Sequence, residues 1–413
     1  MTTDRRASLA FGLVLILVPI YVGRIQELVP YLDVLHIAKI SMILGLVALG
    51  LTADTLRTYN RSLFSIPQVK IMEAIYILGL IGIPFSIWPG GSLDYLINGL
   101  LKLLLFIYLL IACTSTEEDM VKVLWSFVLC MMILAFVGII APSLKAGRVY
   151  ASGTYDPNDM ALALVLALPL MYYMAERYAG WKKLLLIGGM FLTLLIIIKT
   201  GSRGGFLALV SAAAAVFFEK GLSFTLKRIP IIAVVVMVML TIAPQQQIER
   251  LTHMFDKDYN TTAKGGREEI WKRGVNLMLH NPIVGIGIGQ FTVANGKMEG
   301  GTWNTAHNSY IQIGAELGLP GIALFIMLIR KSFLSLREAE DILKEVWIIK
   351  GLRAGFYGLC VGMIFLSWAY SFPTYFMFGL CIVIRKIHLN AVRAGEGVIH
   401  SDVSTYIAKE RPI

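Results

Sequence analysis

Charge is what this 413-residue sequence has least of: Asp, Glu, Lys and Arg together make up 15% of it, where soluble globular domains carry about 25%. That excludes disorder and an ordinary cytosolic fold. Cysteine is also scarce: there are four, each inside an apolar stretch, which excludes a disulfide scaffold and suits small buried hydrophobes. Walker, zinc-finger and nucleophile-elbow patterns are missing. What is abundant is apolar: 57% of residues, with a mean hydropathy of +0.70. The reading is an all-α polytopic membrane protein with roughly twelve spans of about 20 residues each.

Apolar runs of spanning length fall near 8–23, 34–53, 70–88, 93–113, 120–141, 158–178, 182–199, 203–219, 229–243, 307–330, 351–371 and 373–389. Pro320 is expected to kink the tenth or split it. With the N-terminus inside, most Lys and Arg of the short loops gather on the cytoplasmic side (Arg57, Arg61, Lys182, Lys183, Lys220, and the run from Arg330 to Arg353). The positive-inside rule then puts both termini in the cytoplasm and accounts for the net charge of +10 without a nucleic-acid partner. One long polar loop, 244–306, lies outside. It holds an expected helix from Arg267 to about Leu279, whose Ile270, Trp271, Val275 and Met278 suit a membrane surface, stopped at Asn281-Pro282. The organisation is helices 1–7 over 1–199, a core over 200–330 that includes this loop, and 331–413 with the last two helices and a tail.

Three features on the outer face carry chemistry. Lys199-Thr200-Gly201-Ser202-Arg203-Gly204-Gly205 is a tight turn that sets Arg203 at the mouth of a helix, where N–H groups and a guanidinium fork favour phosphate oxygens. The plain alternative is a snorkelling span-end residue. Gly266-Arg267 opens the loop helix, which also carries Arg273; a solvated helix face is the alternative. His307-Asn308-Ser309-Tyr310 enters the tenth span with a side chain that acts as a base near neutral pH, or as an interfacial hydrogen bonder. Lys102, and His36 with Lys39, sit roughly 5–15 Å below the outer surface by helix rise. Such charges line a cavity or pair for structure with Asp33, Asp94 or Glu316. Asp156-Pro157-Asn158-Asp159 reads as a turn and helix cap. Asp256-Lys257-Asp258 and Gly285-Ile286-Gly287-Ile288-Gly289 are too short and out of context for nucleotide sites.

At these residues the sequence resembles the O-antigen ligase and polymerase family of bacterial membrane glycosyltransferases. The resemblance rests on Gly201-Ser202-Arg203-Gly204-Gly205, on Gly266-Arg267 with Asn281-Pro282-Ile283-Val284-Gly285, and on His307-Asn308-Ser309-Tyr310 with Glu316-Leu317-Gly318-Leu319-Pro320-Gly321. The Tyr155-Asp156-Pro157-Asn158 turn adds to it.

The resemblance implies a type C glycosyltransferase-like fold in the inner membrane and a periplasmic site. The enzyme would be metal-independent and without a cofactor. It would move a glycan from undecaprenyl diphosphate to an acceptor, with lipid A–core favoured. His307, Arg203 and Arg267 are the catalytic candidates; Lys102, Arg273, Asn308, Tyr310 and Ser202 are candidates for substrate binding. A polymerase of the same family is the nearest alternative. A lipid-linked oligosaccharide flippase is the alternative from another class.

Overall fold

The computed structural model describes residues 2–28, 36–60, 63–145, 147–151, 153, 155–221, 266–298 and 303–394. The expected span at 229–243, Asp33, the Asp256-Lys257-Asp258 motif and the C-terminal tail lie outside them. The helices run in order: α1 Thr2–Tyr21, α2 Ile25–Leu28, α3 Ile37–Asn60, α4 Pro67–Gly82, α5 Pro89–Tyr95, α6 Lys102–Cys113 and α7 Glu117–Ile140. A hairpin of β1 Ser143–Lys145 and β2 Arg148–Tyr150 follows. Then come α8 Pro157–Arg177, α9 Gly180–Thr200, α10 Arg203–Lys220, α11 Arg267–His280, α12 Phe291–Lys297, α13 Ser309–Glu338, α14 Val346–Gly362 and α15 Phe372–Ala394.

A helix stands at every expected run that falls on described residues. Among those residues, seven helical stretches are long and apolar enough to cross a membrane, and Leu9–Tyr21 and Ile37–Leu51 are shorter apolar helices. The protein is thus an all-α polytopic membrane protein. One expected span is corrected. Instead of 351–371, α14 ends at Gly362, and 363–371 runs as turns. Its polar groups are used elsewhere, as described below.

The bundle is organised around α8, which is buried on nearly every face. It packs against α9, α10 and α14. The approach of α14 depends on missing side chains. A Cβ on Gly362 would stand 2.4 Å from Leu162, one on Gly351 2.8 Å from Leu170, and one on Gly358 3.2 Å from the Ala208 carbonyl. Small residues on one helix face let backbones close in where lipid supplies no hydrophobic drive between helices.

The expected break at Pro320 occurs two residues earlier, at Gly318 (φ 70°, ψ −168°). A broken helix in a membrane must satisfy its freed backbone groups, and the segment after α11 does so. Ile286 donates to the Ala315 carbonyl at 2.9 Å, Gly287 to that of Glu316 at 3.1 Å, and Leu319 donates to that of Pro282 at 2.8 Å. The glycine-rich run is therefore a backbone splint. Glu316, offered above as a partner for an intramembrane cation, is instead buried and accepts the Phe291 N–H at 3.0 Å. Asp94 accepts from Asn98 at 2.6 Å.

Gly285→Ala tests the splint. Its φ is +69°, and a Cβ would lie 2.3 Å from the Glu316 backbone. The left-handed backbone alone costs a non-glycine residue about 1–2 kcal/mol, and the backbone clash adds to it. A clear drop in melting temperature in detergent is expected. Gly12→Ala, with nothing within 4 Å of its Cβ, should leave it unchanged or raise it slightly.

Candidate functional site

Four local structures converge at one end of the bundle. The first is the start of α8. Asp156 is its N-cap and accepts the N–H groups of Asn158 (2.7 Å) and Asp159 (3.0 Å), with Pro157 at the first helical position. This is the cap that the sequence indicates.

The second is the turn from α9 into α10. Gly201 adopts the left-handed conformation (φ 57°) that ends α9, and Ser202 caps α10 by accepting the Gly205 N–H at 3.1 Å. Gly204 and Gly205 let the turn close in: their Cβ atoms would stand 2.7 Å from Phe365 and 2.5 Å from Ala161. The sequence thereby sets Arg203 at the first residue of α10, wedged between α8 and the 363–371 turns. Ser202, a substrate-binding candidate, spends its hydroxyl on this cap and on Asn158 Oδ1 at 3.0 Å.

The third is Arg267, the first residue of α11, with Gly266 as N-cap. The fourth is the strand-like lead into α13. Trp271 Nε1 donates to the Ala306 carbonyl at 3.1 Å, and the His307 N–H donates to Ser367 Oγ at 2.8 Å. Ser309 donates its N–H to Met363 O and its hydroxyl to Leu366 O, and accepts the Trp368 N–H. Ser367 thus holds the His307 backbone, and Met363, Leu366 and Trp368 hold Ser309 two residues on. His307 itself has φ 47°, a conformation that side-chain-bearing residues rarely adopt and that surrounding contacts must impose.

Electrostatics show what these segments bring together. Burial, then the nearby Arg203 guanidinium, hold Arg267 below the usual arginine range, with Asp156 opposing. Arginine still stays charged. Burial, then Arg267, hold His307 below the usual imidazole range, again with Asp156 opposing. Arg267 therefore lies within electrostatic reach of Arg203, His307 and Asp156, and the Asp156 carboxylate acts on both Arg267 and His307. Like charges placed close together favour an anion between them, and a half-buried imidazole biased toward its neutral form can take a proton.

The other sequence candidates are placed differently. Arg273 binds Glu269 on its own helix and reaches Asn295 Oδ1 at 3.5 Å. Six residues along α11 from Arg267, it points about 120° away. Asn308 caps α13 through Oδ1, accepting from Tyr310 and Ile311, and Tyr310 donates its hydroxyl to Cys360 O at 3.0 Å. Lys102 is half-buried where the wide turn Leu96–Leu101 passes into α6. Neither Lys102 nor Arg273 is among the charges acting on Arg267 and His307.

Two expectations about the loop helix change: Ile270 is buried with Phe291, Ala306 and Ala315, and Trp271 is anchored inward, so the membrane-suited face is Val275 and Leu279, both exposed. All four cysteines are free. Among the described residues, no three His, Cys, Asp or Glu side chains come together.

Three participants have no catalytic or binding role in the sequence reading. Asp156 reads as a helix cap within a turn that the family resemblance includes. Arg148 and Ser367 belong to no motif. None has a spacing signal for its part here, because each partner is far away in the chain.

Residues 188–326 match the family model described as O-antigen ligase; the stretch runs from α9 into α13 and contains Arg203, Arg267 and His307. No curated protein matches. A solved chain from work on "structural coordination of polymerization and crosslinking by a peptidoglycan synthase complex" is similar over 81% of this chain and 98% of that one. Its identity is 15% and its TM-score 0.44. The chain is thus a multi-pass membrane protein whose residues 188–326 match the O-antigen ligase family model.

Proposed function

We propose that the protein transfers a glycan from undecaprenyl diphosphate to an acceptor hydroxyl on the periplasmic face of the inner membrane, as a metal-independent inverting transferase, with lipid A–core the favoured acceptor. The observation that carries this reading is the meeting of Arg203, Arg267, His307 and Asp156 at one end of the bundle.

The chemistry fits the groups. The acceptor oxygen attacks the anomeric carbon as the bond to the diphosphate oxygen breaks, so a single displacement inverts that carbon. The acceptor's proton passes to His307. The departing diphosphate is already a good leaving group and needs its developing charge held, not a proton. Arg203 and Arg267 supply that charge from fixed positions in a partly dry site, the arrangement in which electrostatic stabilisation is strongest. Asp156 offsets part of the positive charge before donor arrives.

The test is transfer by purified protein from an undecaprenyl-diphosphate glycan, with EDTA present and lipid A–core among the acceptors. Product is expected with wild type. Failure with every acceptor, together with movement of intact diphosphate-linked glycan across vesicle membranes, would overturn the reading in favour of transport.

A further inference from the structure

Arg148, on β2 of the hairpin between α7 and α8, has no role in the reading above. Its guanidinium spans two of the four segments that build the site. Nε donates to the Thr200 carbonyl at 2.6 Å. Nη2 donates to Asn158 Oδ1, also at 2.6 Å. That same Oδ1 accepts the Ser202 hydroxyl at 3.0 Å, and Ser202 is the cap from which Arg203 starts α10. Thr200 ends α9, so its carbonyl is one that no helical N–H serves, and a guanidinium there also meets the negative end of the helix dipole. One side chain thus ties the last residue of α9 to the first turn of α8, with the cap of Arg203 held between them. Thr200 and Ser202 are buried, so their groups have little water to turn to if Arg148 is removed.

We infer that Arg148 is a positioning residue: it fixes the Thr200–Ser202 turn against Asn158 and so sets where the Arg203 guanidinium stands relative to Arg267. The inference rests on the proposed diphosphate site, because it assigns Arg148 control over how tightly that site holds its anion. Arg148 acts through Arg203 and has no direct part in the chemistry. The charge of Arg148 is not the essential property. Its fork is, since two acceptors in different directions need two donors with a fixed angle between them. Arg148→Lys therefore restores only part of what Arg148→Ala loses.

Two measurements test this on the full-length protein in detergent. The first is hydrogen exchange over residues 200–206. Arg148→Ala should raise exchange at the turn while the amides of α4 and α15 stay protected. Unchanged exchange would overturn the inference, and a rise throughout the protein would show a purely structural role and overturn it as well.

The second is a cycle of Arg148→Ala and Arg203→Ala, read as affinity for undecaprenyl diphosphate. Arg148→Ala alone should weaken binding by about tenfold, as expected for lost charge-assisted hydrogen bonds. In the Arg203→Ala background, the same change should cost under about twofold, because residues acting in one chain are not additive. Equal losses in both backgrounds would overturn the inference. If Arg203→Ala itself leaves affinity unchanged while exchange at the turn still rises in Arg148→Ala, then the diphosphate reading fails and the positioning of the turn stands.

Discussion

His307→Ala is expected to lower glycan transfer by about 10²–10⁴-fold, the usual contribution of a positioned general base, with affinity for undecaprenyl diphosphate nearly unchanged. The reason is a separation of tasks. His307 takes the acceptor's proton, whereas the donor's charge is held by the two arginines. His307→Gln keeps the polar volume but not the basicity, and should be as inactive. Full activity in either variant would remove the base assignment. The pH profile gives an independent check.

Burial and Arg267 hold the imidazole below its usual range, so the proton-accepting form dominates at neutral pH. Transfer should fall only as pH drops below the ordinary imidazole range. Arg267→Gln removes one of the two causes, so the acid limb of kcat/KM should move to higher pH. Asp156→Asn removes the opposing influence and should move that limb to lower pH. Bound diphosphate adds negative charge beside the ring, so the limb in kcat should lie at higher pH than that in kcat/KM. Opposite shifts in the two variants are hard to obtain from a general loss of fold.

Arg267→Gln is expected to reduce transfer by about 10²–10³-fold, the range seen when one preorganised donor to a developing anion is removed. Stability should respond in the other direction. Arg203 lies close enough to Arg267 to disfavour its charge, with Asp156 opposing, and an anion bound beside them would relieve that repulsion further. The free Arg267→Gln protein should therefore melt at or above the wild-type temperature, while its activity falls. Undecaprenyl diphosphate should stabilise wild type, by about 2.7 kcal/mol at a hundredfold excess over Kd, and stabilise Arg267→Gln far less. Arg267→Lys keeps the charge but loses the fork, and should lie between the two. A variant that lost activity and stability together, with ligand stabilisation intact, would mark Arg267 as structural.

How much of this was legible beforehand depends on the range of the interaction. The membrane class follows from composition, because no water-soluble fold hides so much apolar surface with so few charges. Caps are local, so the Asp156 cap is readable within three residues of itself, and so is the break near Pro320; Ser202 and Asn308, expected as substrate-binding residues, act as caps in the structure. The position of Arg203 at a helix mouth belongs to this group, since Gly201-Ser202 dictates it. The choice of Arg203, Arg267 and His307 rested on a family resemblance as well, because each motif alone also suits a span end, a solvated helix or an interfacial histidine.

The remainder only the tertiary structure decided. Residues 351–371 are apolar enough for a span, yet Ser309 and His307 claim the backbone and hydroxyls of 363–368 from more than fifty positions away. Arg273 and Arg267 carry the same charge on one helix; Arg273 pairs locally with Glu269 four residues earlier, whereas only the packing of α11 brings Arg267 near Arg203. Arg148 meets Thr200 across 52 residues. Hydropathy and capping are properties of neighbours in the chain, and the sequence states them outright. Which charge faces which across a bundle depends on helix rotation and glycine-permitted approach, and those are fixed only when every helix has found its partners.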